Sequence, residues 1–231
     1  MDSDQSKMEL EIQHRSNIKF MQDLLKKFTR AEMSTSGKKR SKRPVFKGWL
    51  DVTEEQSAEL ALHADYRDGQ FMFLTGKTTK YFAVDIDTRD ESRDDHKDKT
   101  DGREYWDSNF EESDHMNTLI IKTPSGGFHL VYKYEEGITS GQLKKDVLID
   151  ILSDGRAICF GPGYEILNRA MPTSAPPKLV QIIINNNNNY GSQIVNLPGS
   201  STQVSCSEAA FADPLGFSVK TSEGGSSSTC P

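Results

Sequence analysis

The chain has 231 residues, a hydrophobic content of 35% and a formal net charge of −6. That length holds one sizeable domain with tails, and the modest apolar fraction points to a part of the chain outside any packed core. Cys159, Cys206 and Cys230 form no C-x-x-C pair and indicate neither a zinc ribbon nor a disulfide framework, and no run approaches the roughly 18 apolar residues of a membrane span; the reading is a soluble intracellular protein with no membrane partner.

Ile18, Met21, Leu25 and Phe28 recur at steps of three and four, widened by Leu24, and predict an amphipathic helix over about 6–30. Such a helix either docks on the body or serves a partner, docking being favoured. Residues 31–37 read as a linker. A basic cluster follows, Lys38, Lys39, Arg40, Lys42 and Arg43, with Trp49 close behind. It reads equally as a solvated loop, a nuclear-import address or a patch facing nucleic-acid phosphates.

Thr53 and Gln56 have capping-box spacing and open a helix expected to reach Ala64. A turn over 66–70 precedes a buried strand over 71–74. Thr75-Gly76-Lys77-Thr78 lacks the first glycine of a P-loop and reads as a turn between strands, with Lys77 or Lys80 near the site. The next strand, 81–87, carries the first chemical signal. Side chains alternate along a strand, so Asp85 and Asp87 project together, about 6–7 Å apart at the backbone, while Val84 and Ile86 point into apolar surroundings. Carboxylates so placed are either a solvated face or hard oxygen ligands for Mg²⁺ or Mn²⁺.

Residues 88–101 are almost wholly charged and read as a mobile surface loop; His96 and its acidic neighbours are a metal-ligand pattern or simply solvated. A short amphipathic helix over 102–113 carries Tyr105, Trp106 and Phe110. Strands over 118–122 and 128–134 flank Thr-Pro-Ser125-Gly126-Gly127. His129 shares a face with Val131, two residues past the paired glycines, whose lack of side chains lets phosphates approach backbone amides. Residues 137–145 read as a turn with a short helical piece. Asp150, between Ile149 and Ile151, is expected to be buried and to need a partner, and 147–160 reads as a hairpin turning at Asp154-Gly155. A last helix or strand spans 178–184. Asn185–Asn189 and the Ser/Gly-rich residues beyond read as a disordered tail.

D-x-D at Asp85 and Asp87, S-G-G-x-H from Ser125 to His129 and a hydrophobic-Asp at Asp150 therefore occur in order on three strands. Between Lys42 and Ile166 this pattern, with K-R-P-V-F-K-G-W before it and G-P-G-Y after it, resembles the archaeo-eukaryotic primase superfamily, most closely its bifunctional primase-polymerase domains. The resemblance implies an α+β fold, with a sheet related to the RNA-recognition motif carrying the three motifs and a smaller N-terminal α/β lobe. It divides the chain into an N-terminal helix and linker (1–37), a catalytic domain (38–184) and the tail (185–231).

For the site it implies that Asp85, Asp87 and Asp150 hold two Mg²⁺ or Mn²⁺ ions, and that His129, Ser125 and the backbone of Gly126 and Gly127 grip the incoming nucleotide. The function it implies is a DNA primase/polymerase, a nucleotidyltransferase of DNA replication that makes or extends primers on single-stranded DNA from nucleoside triphosphates. The cluster 38–43 with Trp49 is then a candidate template contact. Without a P-loop the chain is a stand-alone domain or a piece of a primase-helicase, with a replicative helicase acting in trans. The rival readings are a catalytically inactive single-strand-binding module of the same fold and a nuclease built on the same acids.

Overall fold

The computed structural model describes residues 3–34, 41–44, 47–63 and 70–194. Helix α1 (Ser3–Leu25) docks on the body through Ile18, Met21 and Leu25, all buried. It ends before Phe28 because Lys26 takes a left-handed φ of 52° and its amide donates to the Gln22 carbonyl at 2.9 Å, closing the last turn. Phe28 instead opens strand β1 (Phe28–Ser34), which takes up the first half of the expected linker. β2 (Ser41–Pro44) pairs with it.

The capping box forms as predicted at helix α2 (Glu54–His63): the Gln56 amide donates to Thr53 Oγ1 at 3.2 Å, and the Thr53 amide to Gln56 Oε1 at 3.0 Å. Ala64 and the expected turn lie outside the described residues, except Gln70, which opens β3 (Gln70–Leu74).

β4 (Tyr81–Ile86), helix α3 (Gly102–Asn109), β5 (Leu119–Lys122), β6 (Phe128–Lys133), the two-residue β7 (Gly141–Gln142), β8 (Ile149–Leu152), β9 (Ala157–Phe160), β10 (Glu165–Asn168) and helix α4 (Pro177–Ile194) follow among the described residues. They make a six-stranded sheet in the order β10-β5-β6-β4-β8-β7 and, with the earlier strands, a four-stranded sheet in the order β2-β1-β3-β9. Every pairing is antiparallel. The architecture is α+β.

Three expectations are corrected here. Residues 147–160 are not a hairpin: β8 pairs with β4 and β7, whereas β9 crosses to the small sheet and pairs with β3, setting Phe160 opposite Phe71 and Ile158 opposite Phe73. All four side chains are fully buried, each worth about 1.5–3 kcal/mol, which a solvent-facing hairpin would forgo. Residues 137–145 form turns and β7 in place of a helical piece. The asparagine run continues α4 through Ile194; Asn187 Nδ2 donates to the Gly137 carbonyl at 3.3 Å and Asn186 Nδ2 to that of Leu143, tying the polar turns to the body. Residues beyond 194 are not among those described.

The large sheet is buried on both faces. On one, Phe82, Val84, Ile86, Leu130, Tyr132, Ile149 and Ile151 pack under α3 and α4, meeting Trp106, Leu179 and Ile183. On the other, Ala83, Val131, Leu119 and Ile121 share a core with α1 and the small sheet, through Met21, Phe28, Phe71, Phe73 and Phe160. The alternation of one strand thus divides two cores, and the candidate acids leave the second face near its end.

Candidate functional site

Asp85 is the centre of the site because its neighbours on both sides are candidate residues. In the ladder it stands opposite His129 of β6 on one side and Asp150 of β8 on the other. Directly opposed side chains begin about 4.5–5.5 Å apart at Cβ, so three residues remote in sequence form one row across three adjacent strands. His129 Nε2 lies 3.3 Å from Asp85 Oδ1, with the imidazole side chain 6% exposed and the carboxylate 26%. His129 Nδ1 is buried with no partner among the described residues. The ring therefore faces Asp85 and not solvent.

Asp87 lies just past the end of β4. Its amide donates to the Leu148 carbonyl at 2.9 Å and its carbonyl accepts from the Gly102 amide at 3.0 Å, which pins this strand end between β8 and α3. Burial, and then the Asp85 carboxylate, push its carboxyl up to about 6, against the pull of Arg93. Asp150 is likewise raised, by desolvation first and then by Asp85, against Lys99 and Arg156. Its expected burial is corrected: Asp150 is exposed, and the isoleucines beside it point into the opposite core. The three acids share a repulsive field that cations would relieve.

The Ser-Gly-Gly turn is built differently from expectation. The Gly126 amide donates to the Thr123 carbonyl at 3.0 Å and so is occupied within the turn. Gly127 is required by backbone packing: a Cβ there would sit 2.2 Å from the Ile86 carbonyl oxygen. Ser125 is exposed, its Oγ 2.9 Å from Thr123 Oγ1, and its carbonyl accepts from Thr88 Oγ1 at 3.0 Å, binding this turn to the segment after β4.

That segment, 88–101, is anchored rather than mobile. His96 is 4% exposed and its Nδ1 accepts from the Asp90 amide at 3.1 Å, so it is a structural acceptor and no surface ligand. Asp101 caps α3 by accepting from the Arg103 and Glu104 amides at 2.9 and 3.0 Å, while its other oxygen accepts from the Arg89 amide at 2.6 Å. Thr100 exchanges backbone hydrogen bonds with Asp146 and Leu148. The segment carries Arg93 and Lys99, whose charges are felt at Asp87 and Asp150.

Tyr164 is a site residue that sequence reasoning missed. Its ring centroid lies 5.9 Å from that of His129 and 5.8 Å from that of Phe160, and burial pushes its phenol up, helped by Cys159, Asp85 and Asp87. The signal was its place directly after Gly161-Pro162-Gly163, a turn that leaves one orientation for the next aromatic. Lys77 and Lys80 are corrected as site neighbours: they precede Tyr81 at the other end of β4, and Lys77 pairs with Glu136 at 3.2 Å. Of the basic cluster, Lys42 and Arg43 lie on β2, an edge strand, and Trp49 opens a 3₁₀ turn; Lys38, Lys39 and Arg40 lie outside the described residues.

Among the described residues no helix is long and apolar enough to cross a membrane. A search of curated proteins finds no match. The family model for the bifunctional DNA primase/polymerase N-terminal domain, Prim-Pol, matches residues 26–179, a span holding the acids, His129, the Ser-Gly-Gly turn and Tyr164. The α+β architecture with its antiparallel sheets agrees with that fold, and the family implies DNA and nucleotides as substrates. By this match over most of its length, the chain belongs to the Prim-Pol family of bifunctional DNA primase/polymerases.

Proposed function

We propose that the chain is a metal-dependent DNA-directed nucleotidyltransferase that makes or extends primers on a single-stranded DNA template from nucleoside triphosphates. The observation that carries this reading is the row of Asp150, Asp85 and His129 across adjacent strands, with Asp87 at the strand end beside it. Asp85, Asp87 and Asp150 would hold Mg²⁺ or Mn²⁺. Their chemistry fits: hard carboxylate oxygens, an Asp87 raised by burial and by Asp85 more than Arg93 offsets, and open space at Asp150. Mg²⁺ commonly takes one or two carboxylates and completes its shell with water and phosphate oxygens. Bound there, two such ions would supply activation of the attacking hydroxyl and neutralisation of the triphosphate charge.

The chain's own side chains would prepare that reaction. His129 holds the Asp85 carboxylate in one orientation, and Tyr164 closes the space behind the imidazole to water. Arg93, Lys99 and Arg156 offer positive charge at the rim of the acids, where triphosphate oxygens would arrive. The exposed Ser125 hydroxyl adds a donor, while the basic residues 38–43 and Trp49 would contact template phosphates and bases. Strand separation would come from a replicative helicase in trans.

The test is incorporation of labelled nucleotides on single-stranded DNA with Mg²⁺ or Mn²⁺. Elongation is expected from the parent chain and its loss from the Asp85→Asn, Asp87→Asn double variant, with circular dichroism showing both folded. Full activity in the double variant would sink the proposal. One observation favours a second reading, a silent single-strand-binding module: no three acidic, histidine or cysteine side chains among the described residues converge into a ready metal cluster. Salt-sensitive binding to single strands without incorporation would select that reading.

A further inference from the structure

Behind the acids, on the opposite face of the large sheet, lies a cavity of about 400 Å³ beneath α3. Ile86, Ile120 and Leu130 form its buried floor, Trp106 and Phe128 line it, and Met116 and Leu167, each 49% exposed, stand at its mouth. Its size lies in the usual range of small-molecule sites, about 300–1,000 Å³.

Besides Asn168, whose side-chain amide donates to the Met116 and Thr118 carbonyls, three polar groups line this apolar space. The Arg103 guanidinium lies 5.2 Å from the centre of the Phe128 ring. Asp107 sits 3.7 Å from Arg103. His115 Nδ1 accepts from Trp106 Nε1–H at 3.2 Å, which in the neutral imidazole leaves the proton on Nε2 as a donor.

We propose that this cavity is a second ligand site that takes a nucleobase, leaving the sugar and any phosphates in the open mouth, and that its occupancy is felt at Asp87. The chemistry selects the class. The charges of Arg103 and Asp107 cancel, so a polyphosphate gains nothing by entering. An aliphatic occupant would cover the His115 N–H without pairing it, which is costly. A neutral planar heterocycle offers its face to Arg103 and the aromatic rings, and its edge to the carboxylate and the imidazole donor.

The coupling follows from the alternation of the strands. Ile86 stands between Asp85 and Asp87, and Phe128 between Gly127 and His129, so floor and catalytic face belong to the same two strand ends. Helix α3, which lines the cavity, is joined to Asp87 by the Gly102 amide at 3.0 Å. No slack exists at that joint: a Cβ on Gly102 would sit 2.2 Å from the Leu148 carbonyl oxygen and 2.6 Å from that of Asp87. An occupant that lifts α3 therefore moves Asp87.

The chain has two tryptophans, so Trp49→Phe leaves Trp106 as the reporter. Each of the four ribonucleosides is titrated, with EDTA present, to about 5 mM, a range that covers affinities near 1 mM. A saturable change in Trp106 emission is expected for at least one nucleoside, together with an apparent Kd raised about tenfold by the surface variants Arg103→Ala and Asp107→Asn. Calorimetric titration of the unsubstituted chain repeats the measurement should Trp49→Phe disturb folding.

No saturable response to any nucleoside by either method overturns the proposal, as does an equal response in the Arg103→Ala, Asp107→Asn double variant. A response to free indole or N-acetyl-leucinamide alone also overturns it and marks the cavity as a slot for a partner's side chain. None of these readouts depends on nucleotide incorporation.

Discussion

Replacing Asp87 by asparagine should stabilise the protein at alkaline pH while removing its activity. The carboxyl is raised to about 6 from an ordinary 3.8, chiefly by burial and by Asp85. A folded-state value above the unfolded one means that the associated stability is fully present below about 3.8 and is lost as pH rises through about 6. At pH 8 the ionised group is a burden that asparagine does not carry. The difference corresponds to ~3 kcal/mol at 1.36 kcal/mol per pH unit, and because the side chain is only half-buried, about 1–2 kcal/mol should remain after solvent screening.

For a domain of this size that is a rise of roughly 3–6 °C in Tm at pH 8, shrinking towards zero by pH 4. Thermal melts of parent and Asp87→Asn in metal-free buffer across that range check it. Mg²⁺ or Mn²⁺ should raise the parent's Tm at pH 8 more than the variant's, since the variant has less repulsion to relieve. A variant less stable than the parent at pH 8, or an advantage that does not change with pH, would refute the electrostatic account of the site.

Three further outcomes follow from particular contacts. Gly127→Ala should cost at least ~2–3 kcal/mol in denaturant melts, because its Cβ would meet the Ile86 carbonyl oxygen at 2.2 Å and force β4 and β6 apart. Ser57→Ala should cost about 1–3 kcal/mol by the same measurement, since the buried hydroxyl both accepts from the Phe28 amide at 3.0 Å and donates to its carbonyl at 2.9 Å, leaving both groups unsatisfied when it is gone. His96→Ala should open the segment 88–101 to limited proteolysis several-fold faster, with little change in global unfolding, because it removes the acceptor for the Asp90 amide and the one ring that segment buries.

The site was legible in the sequence through parity. Asp85, His129 and Asp150 each flank apolar residues that had to face a core, so their common face followed from alternation once their strands were adjacent. Adjacency itself was not legible. The turn Asp154-Gly155 reads the same whether the chain folds back on β8 or crosses to another sheet, and only the burial of Ile158 and Phe160 against β3 decides it. The segment 88–101 lay beyond hydrophobic periodicity because its anchors are backbone amides, Asp101 and His96, none of which an apolar pattern registers. The asparagine run misled for a similar reason: its turns are held through side-chain amides to Gly137 and Leu143, contacts that composition cannot foresee. Tyr164 stood in a recognised motif, but its proximity to His129 depends on β9 leaving the large sheet.

The crossing of β9 also bears on how the protein emerges from the ribosome. β1 and β3 are made early, yet the free edge of β3 stays open until β9 appears, after β4 through β8 have been synthesised. Phe71 and Phe73 thus wait beside an unpaired strand edge while β4 through β8 are made, the kind of exposure that invites aggregation or chaperone capture. The small sheet cannot be excised as one contiguous piece, because its strands come from both sides of β4 through β8. Completion of the small sheet and the arrival of Tyr164 beside His129 come from the same stretch of chain, so the nascent protein cannot assemble its candidate site before the closing strand of the small sheet has been made.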